Sequence, residues 1–334
     1  MTNNRNQFCT ECREETTYRI QPVIYKKRIK ENEYEFKILE AICNKCGEPI
    51  NVPGLMDYNA KEIDRQYRLQ EDLVSIEDIY NLMKIYNIGK APLSFALGFG
   101  EITITRYLAG QVPSKEYSNI IRNALESPAF MVEKLNENRE KIGETAYKKA
   151  MKAAKEVEPL FALSEKMLLT ISYIFKKAEE VTPLALQKIL YFIQGLYMVL
   201  FNTELFSEEC EAWAHGPVFR DVYEVFKNFR YNPIDDIRFA MFQNRFHELS
   251  ENEKKVIDLV IESFGVYSGK TLEQITHDEK PWTDARINCL PGAPSNEIIS
   301  KESIKTYFMD VTDKYALDNV NGIKQYINSK LQTV

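Results

Sequence analysis

The sequence has 334 residues, a length that predicts about two domains. Apolar residues make up 44% and charged residues 28%, as in ordinary globular proteins. The formal net charge of −6 excludes a general polycation, so any nucleic-acid binding needs a local surface. No stretch approaches the roughly 20 unbroken apolar residues of a membrane helix, and the N-terminus lacks a signal-peptide core. We therefore expect a cytoplasmic protein without a membrane segment, whose thiols bind metal rather than form disulfides.

Four of the six cysteines form two CxxC pairs near the N-terminus. Two such pairs can surround one zinc ion with four thiolates, and the strand-like runs Thr16–Tyr25 and Tyr34–Ile42 lie between them. This spacing predicts a zinc ribbon, a small sheet that metal holds together. A redox dithiol and chance pairing are the alternatives. A catalytic zinc site with an open coordination position is not expected, because no histidine lies near these pairs in the sequence. The predicted ligands of one structural zinc ion are Cys9, Cys12, Cys43 and Cys46.

The other two cysteines, Cys210 and Cys289, stand alone in the sequence. Either could be a nucleophile beside His215, His247 or His277. A lone cysteine is more often a small core residue, so we expect that role for both.

After the ribbon, Val52-Pro53-Gly54 predicts a boundary, and a polar connecting helix follows over Asp57–Leu69. Ser75 with Asp78 three residues later predicts the start of the next helix. Gly89 is placed to end that helix.

The next segment has the outline of a helix-turn-helix, with a short helix running into Gly98 and a second ending at Gly110. Ile102 and Tyr107 are expected in the core. Hydroxyl and guanidinium groups suit phosphates and base edges, and Lys115 on the following helix could reach a phosphate. An ordinary helical hairpin is the alternative, because residues 75–130 carry five positive and five negative side chains. The candidate DNA contacts are Thr103, Thr105, Arg106 and Lys115.

A basic helical connector is predicted over residues 128–163. From Arg139 to Lys155 the chain carries six basic and two acidic side chains. A solvated helix face explains this excess, and contact with a phosphate backbone or an acidic partner is the sharper alternative.

The second half reads as a bundle of helices. We predict helices from Ser164 to Glu180 and from Thr182 to Phe201, the second apolar nearly all round. Pro217 is expected to start another helix. Two further helices are predicted, from the Ser250–Glu253 capping box to Tyr267 and over residues 318–331.

Residues 8–127 resemble the MqsA-type antitoxins, which combine a double-CxxC zinc ribbon, a connector and a helix-turn-helix. The resemblance rests on the two CxxC pairs and on the stretch from Leu97-Gly98-Phe99-Gly100 to Val112-Pro113-Ser114. In that family the helix-turn-helix binds the promoter of its own operon. The resemblance therefore implies operator DNA as a partner, contacts by Thr103, Thr105 and Arg106, and a homodimer on a palindrome.

Residues 165–312 resemble the Panacea, or SocA-like, domain. The resemblance rests on the run Leu186–Gly195, on Trp213–Val218 with Tyr223, and on the later motif with Thr276-His277 and Pro281-Trp282. Panacea domains occur in antitoxins that neutralise a toxin encoded next door. The resemblance implies a protein toxin as partner. The residues that carry the domain signature or contact the partner are then Trp213, His215, Gly216, Pro217, Tyr223 and Trp282.

We expect His215 and His277 to be buried structural residues that hydrogen-bond the backbone, so no catalytic residue and no enzyme activity is predicted. The expected fold is mainly α: a zinc ribbon (1–52), a connector and helix-turn-helix (53–127), the basic connector (128–163) and a helical Panacea domain (164–334). The expected function is that of a type II antitoxin. A transcription regulator of a mobile element and an adaptor for regulated proteolysis are the alternatives.

Overall fold

The computed structural model describes residues 6–332, apart from the side chain at position 244. The chain divides into two compact units, Met1–Met151 and Lys152–Val334. Helices predominate in both, and each unit contains one small antiparallel sheet among the described residues. The predicted fold class, mainly α with a small β region at the N-terminus, is confirmed.

The first unit begins with a three-stranded sheet in the order β1-β2-β3. The two long strands form a hairpin that pairs from Tyr18 opposite Cys43 to Ile29 opposite Asn32. It contains both predicted strand runs and extends beyond them. The elements of this unit are β1 (Asn6–Cys9), β2 (Glu14–Ile29), β3 (Asn32–Cys43), α1 (Leu55–Gln70), α2 (Ile76–Ile85), α3 (Lys90–Ala96), α4 (Thr103–Leu108), α5 (Lys115–Glu126), α6 (Pro128–Glu137), α7 (Arg139–Ile142) and the first part of α8 (Glu144–Val157), which continues past the boundary at Met151.

Helix α1 covers the outer edge of β3 with side-chain amides. Asn59 accepts a hydrogen bond from the Leu39 amide (3.0 Å) and donates one to the Leu39 carbonyl (2.8 Å). Gln66 pairs in the same way with Lys37, at 2.8 and 2.7 Å. An exposed strand edge has unpaired backbone groups that can pair with another chain. The side-chain amides of Asn59 and Gln66 satisfy these groups in place of a neighbouring strand.

A buried arginine ties α1 to the helical part of the first unit. Arg68 is 1% exposed. Its guanidinium pairs with Asp64 (2.8 Å) and donates to the carbonyls of Val74 (3.1 Å) and Gln111 (3.3 Å). A buried guanidinium is costly unless its donors are satisfied, and these three partners supply that compensation.

The predicted start of α2 is confirmed, because Ser75 and Asp78 form a capping box. The predicted end at Gly89 was wrong. The helix ends at Ile85, and Asn87 takes the left-handed conformation (φ 47°) that often follows a helix. Gly89 instead caps α3 with an extended backbone.

Two short helices, α3 and α4, flank a turn at Gly98 in the segment where the sequence predicts a helix-turn-helix. Gly98 has φ 77°, a conformation that glycine adopts without strain. Ser94 is buried, donates to the carbonyl of Lys90 and accepts from the amide of Ile104 (both 3.1 Å). This hydroxyl fixes the start of α4 against α3.

The second unit is built around α10 (Pro183–Phe201). Gly195 allows close packing there, because a Cβ at this position would lie 2.4 Å from the ring of Phe308. Phe192 stacks on Phe264 at 3.9 Å between ring centroids. The other elements are α9 (Glu165–Lys177), β4 (Cys210–Trp213), β5 (Gly216–Phe219), α11 (Arg220–Phe226), α12 (Glu251–Phe264), α13 (Gly269–His277), α14 (Lys280–Ala285), β6 (Ile298–Ile299), α15 (Lys301–Tyr315), α16 (Val320–Leu331) and 3-10 segments at Glu158–Ala162, Lys227–Phe229 and Ile237–Glu248.

By length and composition α10 could cross a membrane, contrary to the expectation from the sequence. However, 72% of its most apolar window is buried inside the fold. The predicted N-cap at Thr182 and the Ser250–Glu253 capping box are confirmed. Helices α9 and α12 end three residues earlier than predicted, at Lys177 and Phe264.

The prediction that Pro217 starts a helix was wrong. Pro217 lies in β5 opposite Ala212, within a sheet of order β5-β4-β6, and α11 begins only at Arg220. The amide of Ala212 donates to the carbonyl of Glu297 on the β6 side rather than to β5. Ala212 and Pro217 therefore form a non-hydrogen-bonded pair, in which the backbone nitrogen of Pro217 faces away from β4. The amide that proline lacks is therefore not needed for the hairpin.

Candidate functional site

The four predicted zinc ligands come together in the first unit. Their sulfur atoms all lie within 4.8 Å of one another. The Sγ atoms of Cys9 and Cys46 are 3.6 Å apart, and those of Cys12 and Cys43 are 3.9 Å apart. Four sulfurs bound to zinc at about 2.3 Å are separated by about 3.8 Å in a regular tetrahedron. The donor set and its spacing thus fit one tetrahedral metal ion.

Hydrogen-bond donors around Cys43 favour its thiolate form. The Thr16 hydroxyl lies 3.2 Å from Cys43 Sγ, and the Lys45 amide donates to the same sulfur at 3.4 Å. The Thr16 hydroxyl and backbone amides lower the pKa of Cys43 to about 6. Desolvation raises the pKa of Cys12 to about 12, and a bound divalent cation acts in the opposite direction because it holds the thiolate. The metal would complete the small core beside the cluster.

The candidate recognition helix α4 has one buried and one accessible face. Ile104 and Tyr107 are buried, whereas Thr105 and Arg106 are exposed and Thr103 is half-buried. The expectation for Tyr107 was right. The expectation that Ile102 faces the core was wrong, because it is 53% exposed and Ile104 takes the core position.

The fourth candidate DNA contact, Lys115, lies at the start of α5. Its ammonium group pairs with the Asp72 carboxylate at 3.0 Å, and Arg122 binds the same carboxylate at 2.9 Å. These cations hold the pKa of Asp72 below its usual range. No sequence pattern indicates this ion-pair network, since Asp72 lies more than 40 positions before both of its cationic partners.

In the second unit, polar side chains of α10 bind the β4–β5 hairpin. Lys188 is fully buried and donates to the Pro217 carbonyl at 2.9 Å. Gln187 accepts from the Phe219 amide at 2.8 Å and donates to its carbonyl at 3.4 Å. Burial lowers the pKa of Lys188 to about 7. An amide fits Phe219, which offers a donor and an acceptor, and a donor-only lysine fits proline, which offers an acceptor alone.

Gly216 is required at the turn of this hairpin. Its φ is 93°, and a Cβ there would lie 2.8 Å from Thr276 Oγ1 and 2.9 Å from both Cε and Nζ of Lys188. Gly216 and Pro217 are both buried. Gly216 and Pro217 therefore support the fold of the hairpin and offer little surface to a partner.

The two tryptophans join the hairpin to α14. Trp282 donates its indole N–H to the Trp213 carbonyl at 2.9 Å, and Trp213 donates its own to Glu211 at 2.7 Å. Tyr223 meets the Trp213 ring edge-on at 4.8 Å between centroids. Trp213, Tyr223 and Trp282 are all half-buried, so each has both packed and accessible surface.

The expectation that both histidines are buried and bonded to the backbone was wrong. The His215 side chain is 76% exposed and lies 3.3 Å from a carboxylate oxygen of Glu273. His277 stacks on Trp282 at 4.1 Å between ring centroids, and its Nε2 is buried without a partner among the described residues. Desolvation lowers the pKa of His277, because burial disfavours the charged form of the ring.

The environment of Cys210 does not suit a nucleophile. Cys210 is 3% exposed, and burial raises its pKa to about 12. A nucleophilic thiol needs the opposite shift. The core position expected for Cys210 is confirmed, whereas Cys289 is only half-buried.

The hairpin and the helices around it are similar to a known family. Residues 186–283 match the family described as antitoxin SocA-like, Panacea domain. The match runs from Leu186 in α10 to Thr283 in α14, entirely within the second unit, and supports an antitoxin-type function. No curated protein and no solved structure matches the chain. We refer to residues 186–283 as the Panacea segment.

A buried carboxyl group lies near the end of the Panacea segment, where the sequence predicts none. Glu279 is fully buried, and burial raises its pKa to about 7. Tyr326 in α16 donates its hydroxyl to Glu279, and the hydroxyls of Tyr326 and Tyr307 lie 3.1 Å apart. This network attaches the two last helices to the Panacea segment. A glutamate within a charged stretch of sequence carries no signal of such burial.

Proposed function

We propose that this protein is the antitoxin of a type II toxin-antitoxin system. The observation that carries the proposal is the match of residues 186–283 to the antitoxin SocA-like Panacea domain. The second unit binds the cognate toxin directly and blocks its activity. In this proposal the protein is not an enzyme and acts in the cytoplasm.

The proposed toxin surface lies around the hairpin turn. His215 is exposed, and Trp213, Tyr223 and Trp282 leave part of each ring accessible. Aromatic side chains held by hydrogen bonds are effective anchors at protein interfaces, because little side-chain freedom is lost on binding.

The first unit supplies the second activity of the proposal, repression of the operon. Helix α4 enters the major groove, where Thr103, Thr105 and Arg106 contact bases or phosphates. Lys115 contributes a phosphate contact from the start of α5. Two copies of the chain occupy a palindromic operator as a homodimer.

One zinc ion, bound by the four clustered cysteines, holds the ribbon in this proposal. The ribbon sheet is thin and α1 covers only one of its edges, so metal supplies stability that the small core lacks. Arg68 in α1 connects the ribbon to the helix-turn-helix, because its guanidinium donates hydrogen bonds to the carbonyls of Val74 and Gln111.

The test is growth of cells that express the adjacent gene from an inducible promoter. We expect growth arrest with that gene alone and recovery when this protein is expressed with it. Harmlessness of every adjacent gene would refute the antitoxin function and favour a transcription regulator. Recovery that requires a cellular protease, with a shortened toxin half-life, would favour the proteolysis adaptor.

A further inference from the structure

A cleft of about 570 Å³ lies in the first unit between α2, the turn before α3, and the first half of α8. Tyr80 and Lys84 line it from α2, Asn87 from the turn, and Thr145 and Lys149 from α8. Helix α8 belongs to the segment whose basic excess has no assigned role in the sequence. The structure brings part of that excess next to the helix-turn-helix.

The cleft is positively charged and contains no carboxylate among its lining residues. Within residues 6–332, neither Lys84 nor Lys149 forms an ion pair. Neighbouring lysines differ: Lys148 on the same helix pairs with Glu144 at 3.2 Å, and Lys134 pairs with Glu137 at 2.6 Å. Two unneutralised ammonium groups therefore converge on one concave surface.

The uncharged side chains of the cleft also suit an anion. The Asn87 amide, the Thr145 hydroxyl and the Tyr80 phenol are exposed and can each donate a hydrogen bond. Ammonium groups surrounded by neutral donors, with no competing acid, are the chemistry that recognises phosphate.

The location of the cleft selects the source of that phosphate. Gly89, which lines the cleft, directly precedes α3, the first helix of the helix-turn-helix. When the second helix of such a motif lies in the major groove, the first crosses the sugar-phosphate backbone. Seven residues of α3 extend over only about 10 Å, so the cleft stays close to that crossing.

We propose that this cleft binds the phosphate backbone of the operator, with Lys84 and Lys149 as its cationic contacts. The proposal rests on the proposed operator binding and extends it to a surface outside the helix-turn-helix itself. Its lysines are exposed, as expected for contacts to a long polyanion that release condensed counterions. The basic connector then has a function in DNA binding.

The test measures operator affinity of the full chain by fluorescence anisotropy across a series of KCl concentrations. We expect the plot of log K against log [KCl] to lose about 1 unit of slope for each lysine removed, or about 2 for Lys84→Gln with Lys149→Gln. The loss should be equal on operator and scrambled DNA, because phosphate contacts carry no sequence information. Lys148→Gln is the matched control for Lys149→Gln alone, since it removes one charge from the same helix outside the cleft.

The outcomes separate this proposal from the proposed function. Absence of sequence-preferring binding by the wild-type chain would overturn operator binding and this proposal with it. Wild-type operator binding with equal slopes for Lys149→Gln and the Lys148→Gln control would overturn this proposal alone. Saturable binding of inorganic phosphate that the double variant loses, with an unchanged DNA slope, would also overturn it and identify a free-anion site. Recovery of slope in Lys84→Arg with Lys149→Arg would support it.

Discussion

Replacing Gly216 by alanine tests whether the Panacea motif is a scaffold. A side chain at φ 93° strains the backbone by about 1–3 kcal/mol. The new Cβ would also meet Lys188 Cε and Nζ at 2.9 Å, so Lys188 must move. Moving it leaves the buried Pro217 carbonyl without its donor, which costs roughly a further 1–3 kcal/mol. We expect Gly216→Ala to lower the free energy of unfolding of the second unit by about 2–6 kcal/mol.

Urea unfolding followed by tryptophan fluorescence measures this loss selectively. The chain has two tryptophans, Trp213 and Trp282, and both lie in the second unit. Gly292→Ala is the matched control, because Gly292 has φ 72° but its new Cβ would meet no neighbouring atom within 4 Å. It should cost the backbone strain alone. Equal losses in the two variants would refute the role assigned to the Lys188–Pro217 contact.

Three further predictions concern other parts of the molecule. Burial raises the pKa of Glu279 from 4.5 to about 7, so its stabilising contribution is complete below pH 4.5 and is lost as pH rises through 7. Glu279→Gln should remove that decline from urea unfolding curves measured between pH 4 and 8, and an unchanged decline would contradict the assignment. Elemental analysis should find one zinc per chain in the wild type and in Cys289→Ser and none in Cys43→Ser, which lacks one of the four sulfur ligands. Metal-free wild-type protein would refute the site. Thr105→Ala with Arg106→Ala should weaken operator binding by about tenfold or more and leave toxin neutralisation unchanged, as measured by anisotropy and growth.

The sequence was most informative where a local pattern determines the structure. Two CxxC pairs separated by strand-forming runs predicted the cysteine cluster, because ligand spacing and turn geometry are local properties. The Ser75–Asp78 capping box and the turn at Gly98 were predicted for the same reason. Helix ends without such a signal were misplaced by a few residues.

Long-range partners determined what the sequence could not show. Proline often occupies the first position of a helix, but here Lys188, 29 residues before Pro217, binds its carbonyl and holds it in a strand. His215 was expected to be buried, yet the hairpin turn projects it outward towards Glu273. Arg68 and Glu279 are buried ionisable residues that bond to distant residues, Gln111 and Tyr326, so neither composition nor periodicity predicts their burial.

In the proposed function, the second unit binds a toxin independently of DNA recognition by the first. Calorimetric titration of the purified product of the adjacent gene into the full chain tests this independence most directly. We predict saturable binding of the same affinity for the wild-type chain and for the folded Thr105→Ala, Arg106→Ala variant. Absence of saturable binding, or its loss in that variant, would contradict the proposal.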